Sequence, residues 1–291
     1  MATAAQWVAG ARPRTLPAAI APVLIGTGAA AAIDRADLGL ALLALLVSLA
    51  LQVGVNYAND YSDGVRGTDS ERVGPVRLVG QRLAAPSSVK AAAFLCFGFA
   101  GVAGLALVTL ANTLPLLVVG ALSVVAAWRY TGGDKPYGYR GLGEVYVFVF
   151  FGLVATLGTL YTQAHRVTVA GFLGACGVGL LATAILVANN LRDIPTDAVT
   201  GKRTLAVRLG DRTTRRLYAA CVALAFALAA GAAVVTPWTL LALGALPLGA
   251  REMRRVLGGA SGRDLIPALA GTGATQLAYA VLLTTGLALA G

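Results

Sequence analysis

Two acidic stretches stand about 130 positions apart, Asn56-Tyr57-Ala58-Asn59-Asp60-Tyr61-Ser62-Asp63 and Asn189-Asn190-Leu191-Arg192-Asp193-Ile194-Pro195-Thr196-Asp197. Each follows directly on a long apolar run. Asn56, Asp60 and Asp63 are spaced four and three apart; Asn189, Asp193 and Asp197 are spaced four and four. Residues at such spacings share one helix face. Each stretch is therefore expected to project one amide and two carboxylates from one stripe, with Pro195 a potential break beyond a first turn that holds. Mg2+ takes oxygen ligands, keeps several waters and bridges to phosphates through one or two carboxylates. Two facing half-sites of this kind suit Mg2+ with a diphosphate. Taken singly, either stretch is also compatible with helix capping or ion pairing to nearby arginines. The matching of both is what favours a metal site.

Basic residues flank both stretches. Arg66, Arg72, Arg77 and Arg82 follow the first; Arg192, Lys202, Arg203 and Arg208 surround the second. Such groups clamp phosphate oxygens and stabilise charge on a leaving group. Asn189, Arg72, Arg77 and Lys202 are the candidates for diphosphate binding. For most of the others, topology anchoring and contact with anionic lipid is the simpler role. A third polar segment runs from Tyr130 to Glu144 and contains Pro136-Tyr137-Gly138-Tyr139-Arg140. Tyr137 and Tyr139 offer ring faces that stabilise a cation. Arg140 is the candidate to hold a carboxylate, and Glu144 stands at the mouth of the next apolar run. An interfacial tyrosine belt is the alternative for this segment.

These groups must be held by a lipid-embedded scaffold. Of the 291 residues, 57% are hydrophobic and 12% charged, with mean hydropathy +0.76. A soluble domain carries about 25% charged residues. The net charge of +10 sits in short loops between apolar runs, which argues for a bilayer and against nucleic acid. Cys96, Cys176 and Cys221 lie in apolar runs without metal-ligand spacing, and the single His165 lies in a short loop. This argues against histidine catalysis and against a disulfide framework.

A bilayer core needs about 20 apolar residues per helix. The sequence divides into nine such spans: 16–33, 38–58, 90–110, 112–130, 142–163, 168–190, 217–234, 237–250 and 265–289. Arg12 and Arg14 precede the first, which is too long for a signal-peptide core and is expected to be retained. With a cytoplasmic N-terminus, all of the 23 lysines and arginines except Arg35 and Arg166 fall on the cytoplasmic side. The positive-inside rule favours that orientation and that span count. The expectation is an all-α integral membrane protein with one domain over 1–291. Its halves run over about 16–130 and 142–250, followed by a ninth helix at 265–289. The 36 glycines and many alanines allow close helix packing in lipid.

Four segments carry a family resemblance: Arg12-Pro13-Arg14-Thr15-Leu16-Pro17; residues 56–69 with Gly74-Pro75-Val76-Arg77; residues 136–144; and residues 189–210, ending in Gly201-Lys202-Arg203-Thr204-Leu205-Ala206-Val207-Arg208-Leu209-Gly210. They resemble the UbiA-type membrane prenyltransferases, and within that family the branch acting on 1,4-dihydroxy-2-naphthoate in menaquinone synthesis. Many members carry a third Asp four residues past the Asp63 position. Here that residue is Gly67, and Asp69 is the candidate for the role.

The resemblance implies nine helices and Mg2+ held by Asp60, Asp63, Asp193 and Asp197, with Asn56 as a further metal ligand. It implies a polyprenyl diphosphate donor whose leaving group is neutralised by Lys202 with Arg72 or Arg77. Ionisation would give an allylic cation, stabilised by Tyr137 or Tyr139. The naphthoate ring would attack through its carboxylate-bearing carbon, losing CO2 and giving demethylmenaquinone. The implied location is the bacterial inner membrane, with the site facing the cytoplasm. Other acceptors on the same scaffold are 4-hydroxybenzoate, homogentisate, heme or a sugar phosphate. A secondary transporter is a remote alternative, since transporters hold their charges near the bilayer midplane.

Overall fold

In lipid every backbone polar group must be satisfied within the segment, so apolar runs of this length become helices. The computed structural model describes residues 2–67 and 76–291. Among them there is no strand. The α-helices are α1 (Ala4–Gly10), α2 (Pro17–Ala31), α3 (Leu38–Arg66), α4 (Pro86–Leu110), α5 (Leu116–Arg129), α6 (Gly143–Val147), α7 (Ala155–Ala164), α8 (Val169–Val199), α9 (Leu205–Gly231), α10 (Leu246–Leu257) and α11 (Ile266–Ala288). A π-helical turn, Phe148–Val154, joins α6 to α7, and a 3-10 stretch, Pro237–Ala245, precedes α10.

Among the described residues, six helical segments are long and apolar enough to cross a membrane, or seven if the bent pair Ala4–Thr15 and Pro17–Ala31 is one span. Helical stretches overlie all nine segments read from the sequence. Leu116–Arg129 is shorter than a full span, and the 237–257 stretch is divided between 3-10 and α geometry.

Two helices run on beyond the apolar spans, and that matters for the site. The apolar pattern puts the end of the second span at residue 58 and of the sixth at 190. Instead α3 runs on to Arg66 and α8 to Val199. Asp37 caps α3 by accepting from the Leu40 N–H at 2.9 Å, and Gly67 ends it at φ +72°. Thr168 caps α8, which continues through Pro195 without a break. Proline removes one backbone donor but is tolerated in such helices when neighbours satisfy the freed carbonyl. Asp193 and Asp197 thus stay in one helical register.

α8 is the most buried of the long helices, packed against α9 and α11, with α2 and the π turn also beside it. Small residues permit this. A Cβ added at Gly152 would meet the Gly179 Cα at 2.6 Å, so the π turn rests directly on the α8 backbone. A second core, including Tyr57, Ala58, Leu78, Val79, Val89 and Phe97, joins α3 and α4 to the loop between them. Leu95, Val102, Leu110 and Val118 face outward from α4 and α5, as lipid contact requires.

The Gly152–Gly179 contact is testable. Gly152→Ala should lower stability by roughly 1–3 kcal/mol, because close-packed interiors resist added volume. Gly98→Ala, on α4 with nothing within 4 Å, should leave it unchanged or raised. Thermal unfolding in detergent reads both.

Candidate active site

A cavity of about 1140 Å3 opens between α2, α3, α4, α5, the π turn and α8. Its wall is mostly apolar, with Val47, Gly104, Leu107, Leu117, Phe150 and Val154 along it. Polar residues gather at one end: Asn59, Asp63, Arg77, Tyr139, Asn189, Asn190, Arg192, Asp197 and Lys202.

Asp63 is the hub. It is 2% exposed, and Tyr139, Lys202 and Arg77 come to it from three separate segments of chain. The Tyr139 hydroxyl donates to Oδ1 at 2.7 Å. Lys202 Nζ lies 3.2 Å and an Arg77 terminal nitrogen 3.8 Å from Oδ2. Local sequence explains how Lys202 arrives there. Thr200 ends α8, Gly201 takes φ +77°, and the Lys202 N–H turns back to the Asp197 carbonyl at 2.9 Å. This is the glycine-closed helix end in which the chain reverses over the last turn. Asp197 itself lines the cavity.

On α8, Arg192 forks onto its neighbour Asp193, Nε to Oδ1 at 2.7 Å and a terminal nitrogen to Oδ2 at 2.8 Å. The same terminal nitrogen reaches Asn189 Oδ1 at 2.9 Å. The loop 131–141 is tied down from two sides. Arg66 donates to the Thr131 and Gly133 carbonyls, and the Arg203 N–H donates to the Tyr139 carbonyl at 3.0 Å. Tyr139 therefore has its hydroxyl on Asp63, while its ring lies 4.8 Å from Lys202 Nζ and 5.4 Å from the Arg66 guanidinium carbon. Tyr137 faces the apolar part. It stacks on Tyr146 at 3.7 Å between centroids, and Tyr146 continues to Phe150 at 6.0 Å. Burial, with Tyr130 and Tyr146 beside it, pushes the Tyr137 hydroxyl well above the usual tyrosine range. It therefore stays neutral, donating to the Ala126 carbonyl at 2.9 Å.

The expected residues divide. Asp63, Asp197, Asn189, Lys202, Arg77, Tyr137 and Tyr139 meet in the cavity wall. Asn56 also borders the cavity, but its amide donates to the Ala11 carbonyl at 2.9 Å and Thr15 Oγ1 at 3.0 Å, tying α3 to the N-terminal segment. Asp60 is turned away from the wall, with both oxygens taken by the Leu78 and Val79 N–H groups. Asp193 sits behind the wall on Arg192. Arg140 is exposed and does not line the cavity. Glu144 is buried behind α8, accepting from Asn190 Nδ2 at 2.9 Å. Arg72 and Asp69 lie outside the described residues.

Asn59 was missed by the stripe through Asn56. It borders the cavity and accepts from Thr131 Oγ1 at 2.8 Å. The signal was present: Asn59 and Asp63 are four apart, as are Asn189 and Asp193.

Among the described residues no three carboxylate, thiol or imidazole side chains converge as a ready metal cluster. The donor set nevertheless fits Mg2+ with a diphosphate. Hard oxygens from Asp63, Asp197, Asn59 and Asn189 face one cavity end, and Mg2+ completes its shell with water and phosphate oxygens. Lys202, Arg77 and Arg192 match the phosphate charge.

Removing one partner of a buried ion pair strands the other and costs about 3–5 kcal/mol. Asp63→Ala should therefore lower the thermal midpoint of the metal-free protein strongly. Adding Lys202→Met should recover part of the loss, because one stranded charge is gone. Unfolding curves in EDTA for the two single variants and the double variant test this.

Residues 19–264 match the UbiA prenyltransferase family. The chain is 56% identical to the 1,4-dihydroxy-2-naphthoate octaprenyltransferase of Mycobacterium tuberculosis, over 99% of this chain and 98% of that protein. It is 54% identical to the enzyme of the same name from Mycobacterium leprae, over 100% and 99%. In structure it is similar to a UbiA homolog from Archaeoglobus fulgidus bound to DMAPP and Mg2+, with TM-score 0.67, 14% identity, and coverage of 96% and 99%. From the match over most of its length and the high identity of these relatives, the chain belongs to the UbiA prenyltransferase family.

Proposed function

We propose that this protein transfers a polyprenyl chain from its diphosphate to 1,4-dihydroxy-2-naphthoate, in menaquinone synthesis. One observation carries the chemistry: Asp63, Asp197, Lys202 and Arg77 meet at the polar end of a long apolar cavity. A prenyl diphosphate has the same division, a charged head on an apolar tail. The acceptor is supported by the full-length similarity to enzymes named for 1,4-dihydroxy-2-naphthoate.

Asp63, Asp197, Asn59 and Asn189 would hold Mg2+, with Asp193 close behind. Mg2+ bound there supplies neutralisation of the diphosphate charge. Lys202 and Arg77 leave Asp63 for the phosphate oxygens and stabilise the leaving group as the C–O bond to the prenyl carbon breaks. The apolar wall keeps water from the allylic cation. Tyr137 and Tyr146 present ring faces beside its path. The naphthoate ring attacks through the carbon bearing the carboxylate. Loss of CO2 restores aromaticity with no proton to remove, giving the reduced form of demethylmenaquinone.

We further propose a single domain over 1–291 that crosses the bacterial cell membrane nine times, with the N-terminus and the polar cavity end cytoplasmic. The support is the segregation of Lys and Arg, in which only Arg35 and Arg166 fall on the other side. The short Leu116–Arg129 helix and the 237–257 stretch are the crossings that fall below full length.

Detergent-purified protein supplied with Mg2+, a long-chain polyprenyl diphosphate and 1,4-dihydroxy-2-naphthoate should release CO2 and form the prenylated naphthohydroquinone. EDTA should abolish product, and Asp63→Asn should reduce it by ~100-fold or more, on the scale of losing a group that stabilises developing charge. A prenylated 4-hydroxybenzoate with no naphthoate product would retain the metal site and reject the acceptor.

A further inference from the structure

Asp60 is 1% exposed, two turns from the end of a helix that packs in lipid. A carboxylate buried this deeply requires partners. Its partners are not cations. The Leu78 N–H donates to Oδ2 at 2.6 Å and the Val79 N–H to Oδ1 at 3.1 Å, so one carboxylate bridges two successive backbone donors. Hydrogen bonds to an ionised acceptor are about twice as strong as neutral ones.

Other contacts seat the same loop. Gly64, one turn beyond Asp60 on the same face, has no side chain because Val79 lies there. A Cβ at Gly64 would meet Val79 Cγ1 at 2.5 Å and the Gly80 nitrogen at 3.1 Å. Leu78 is fully buried, packed over Gly10 and Tyr57. Residues 78 and 79 are thus bolted to the back of α3. The residue just before them, Arg77, enters the cavity wall and comes within 3.8 Å of Asp63.

We infer that Asp60 is a positioning residue and not a metal ligand: it clamps the Leu78–Val79 backbone so that Arg77 is presented to the diphosphate. Asp60 and Asp63 divide the work of one acidic motif. Asp63 serves the cavity, and Asp60 holds the loop that brings a cation to it. This rests on the Mg2+–diphosphate reading of the cavity.

The test separates metal from anion. Mg2+ affinity is read by displacement of EPR-visible Mn2+, and pyrophosphate affinity by calorimetry at saturating Mg2+. Hydrogen exchange over residues 76–84 reports the clamp itself. Asp60→Asn should leave metal affinity unchanged and weaken pyrophosphate about tenfold or more, the scale of one lost charge-assisted contact. Exchange over 76–84 should rise. Gly64→Ala, which keeps every carboxylate, should reproduce both effects by pushing Val79 off the helix. Asp60→Asn on an Arg77→Ala background should add nothing, since both act through one contact.

Loss of metal affinity in Asp60→Asn equal to that in Asp63→Asn, with Gly64→Ala unaffected, overturns the inference. So does pyrophosphate affinity that stays at the wild-type level in Asp60→Asn. If Asp63→Asn changes neither metal nor pyrophosphate binding, the Mg2+–diphosphate reading itself fails and the inference falls with it.

Discussion

A carboxylate buried in a lipid-embedded bundle has to be neutralised by donors brought from elsewhere in the chain. Asp63 imposes that requirement here, and much of the polar architecture follows from it. Isolated charge in a low-dielectric medium costs far more than folding can supply. Tyr139, Lys202 and Arg77 meet the cost from three separate loops. Each loop is then tied in its own way: loop 131–141 by Arg66 and Arg203, the turn after α8 by Gly201, and the loop after α3 by Asp60. A ring of loops around one carboxylate is a compact way to close the polar end of an apolar cavity.

The same ion pairs explain how the site can be both stable and reactive. Lys202 on Asp63 and Arg192 on Asp193 balance charge within the chain. A metal–diphosphate complex held by these residues would bring its own cation for the carboxylates and its own anion for the bases, so partners would be exchanged without stranding either charge. Tyr139 shares in this arrangement. Its hydroxyl is on Asp63 and its ring lies near two cations, so it belongs to the charged end. Tyr137, Tyr146 and Phe150 form the stacked series that lines the apolar part.

Backbone irregularities sit where the cavity needs them. The π turn Phe148–Val154 brings Phe150, Phe151 and Val154 to the wall while Gly152 rests on Gly179. Such turns are often found at functional sites. α8 carries Pro195 between Asp193 and Asp197 and remains helical, with Asp197 in the cavity wall and Asp193 held by Arg192 behind it.

The sequence by itself determined the class and the helical segments, and it pointed to the residues of the polar end. Apolar runs in lipid have no alternative to helix, and Asn, Asp, Lys and Arg together at their ends have few uses besides a metal and a phosphate. It could not decide which face of α3 meets the cavity. Asn56, Asp60 and Asp63 lie close enough on a helix for one stripe, and periodicity ranks them equally. The N-terminal segment takes the amide of Asn56 at the cavity border, the loop at Leu78 and Val79 takes Asp60, and Asp63 and the overlooked Asn59 keep their place in the cavity wall. Tyr139 and Arg140 were similarly indistinguishable as neighbours on one loop, yet one contacts Asp63 and the other is exposed. Local spacing sets where a side chain can point. Which neighbour stands there is a long-range contact, made only when the loops close over the bundle.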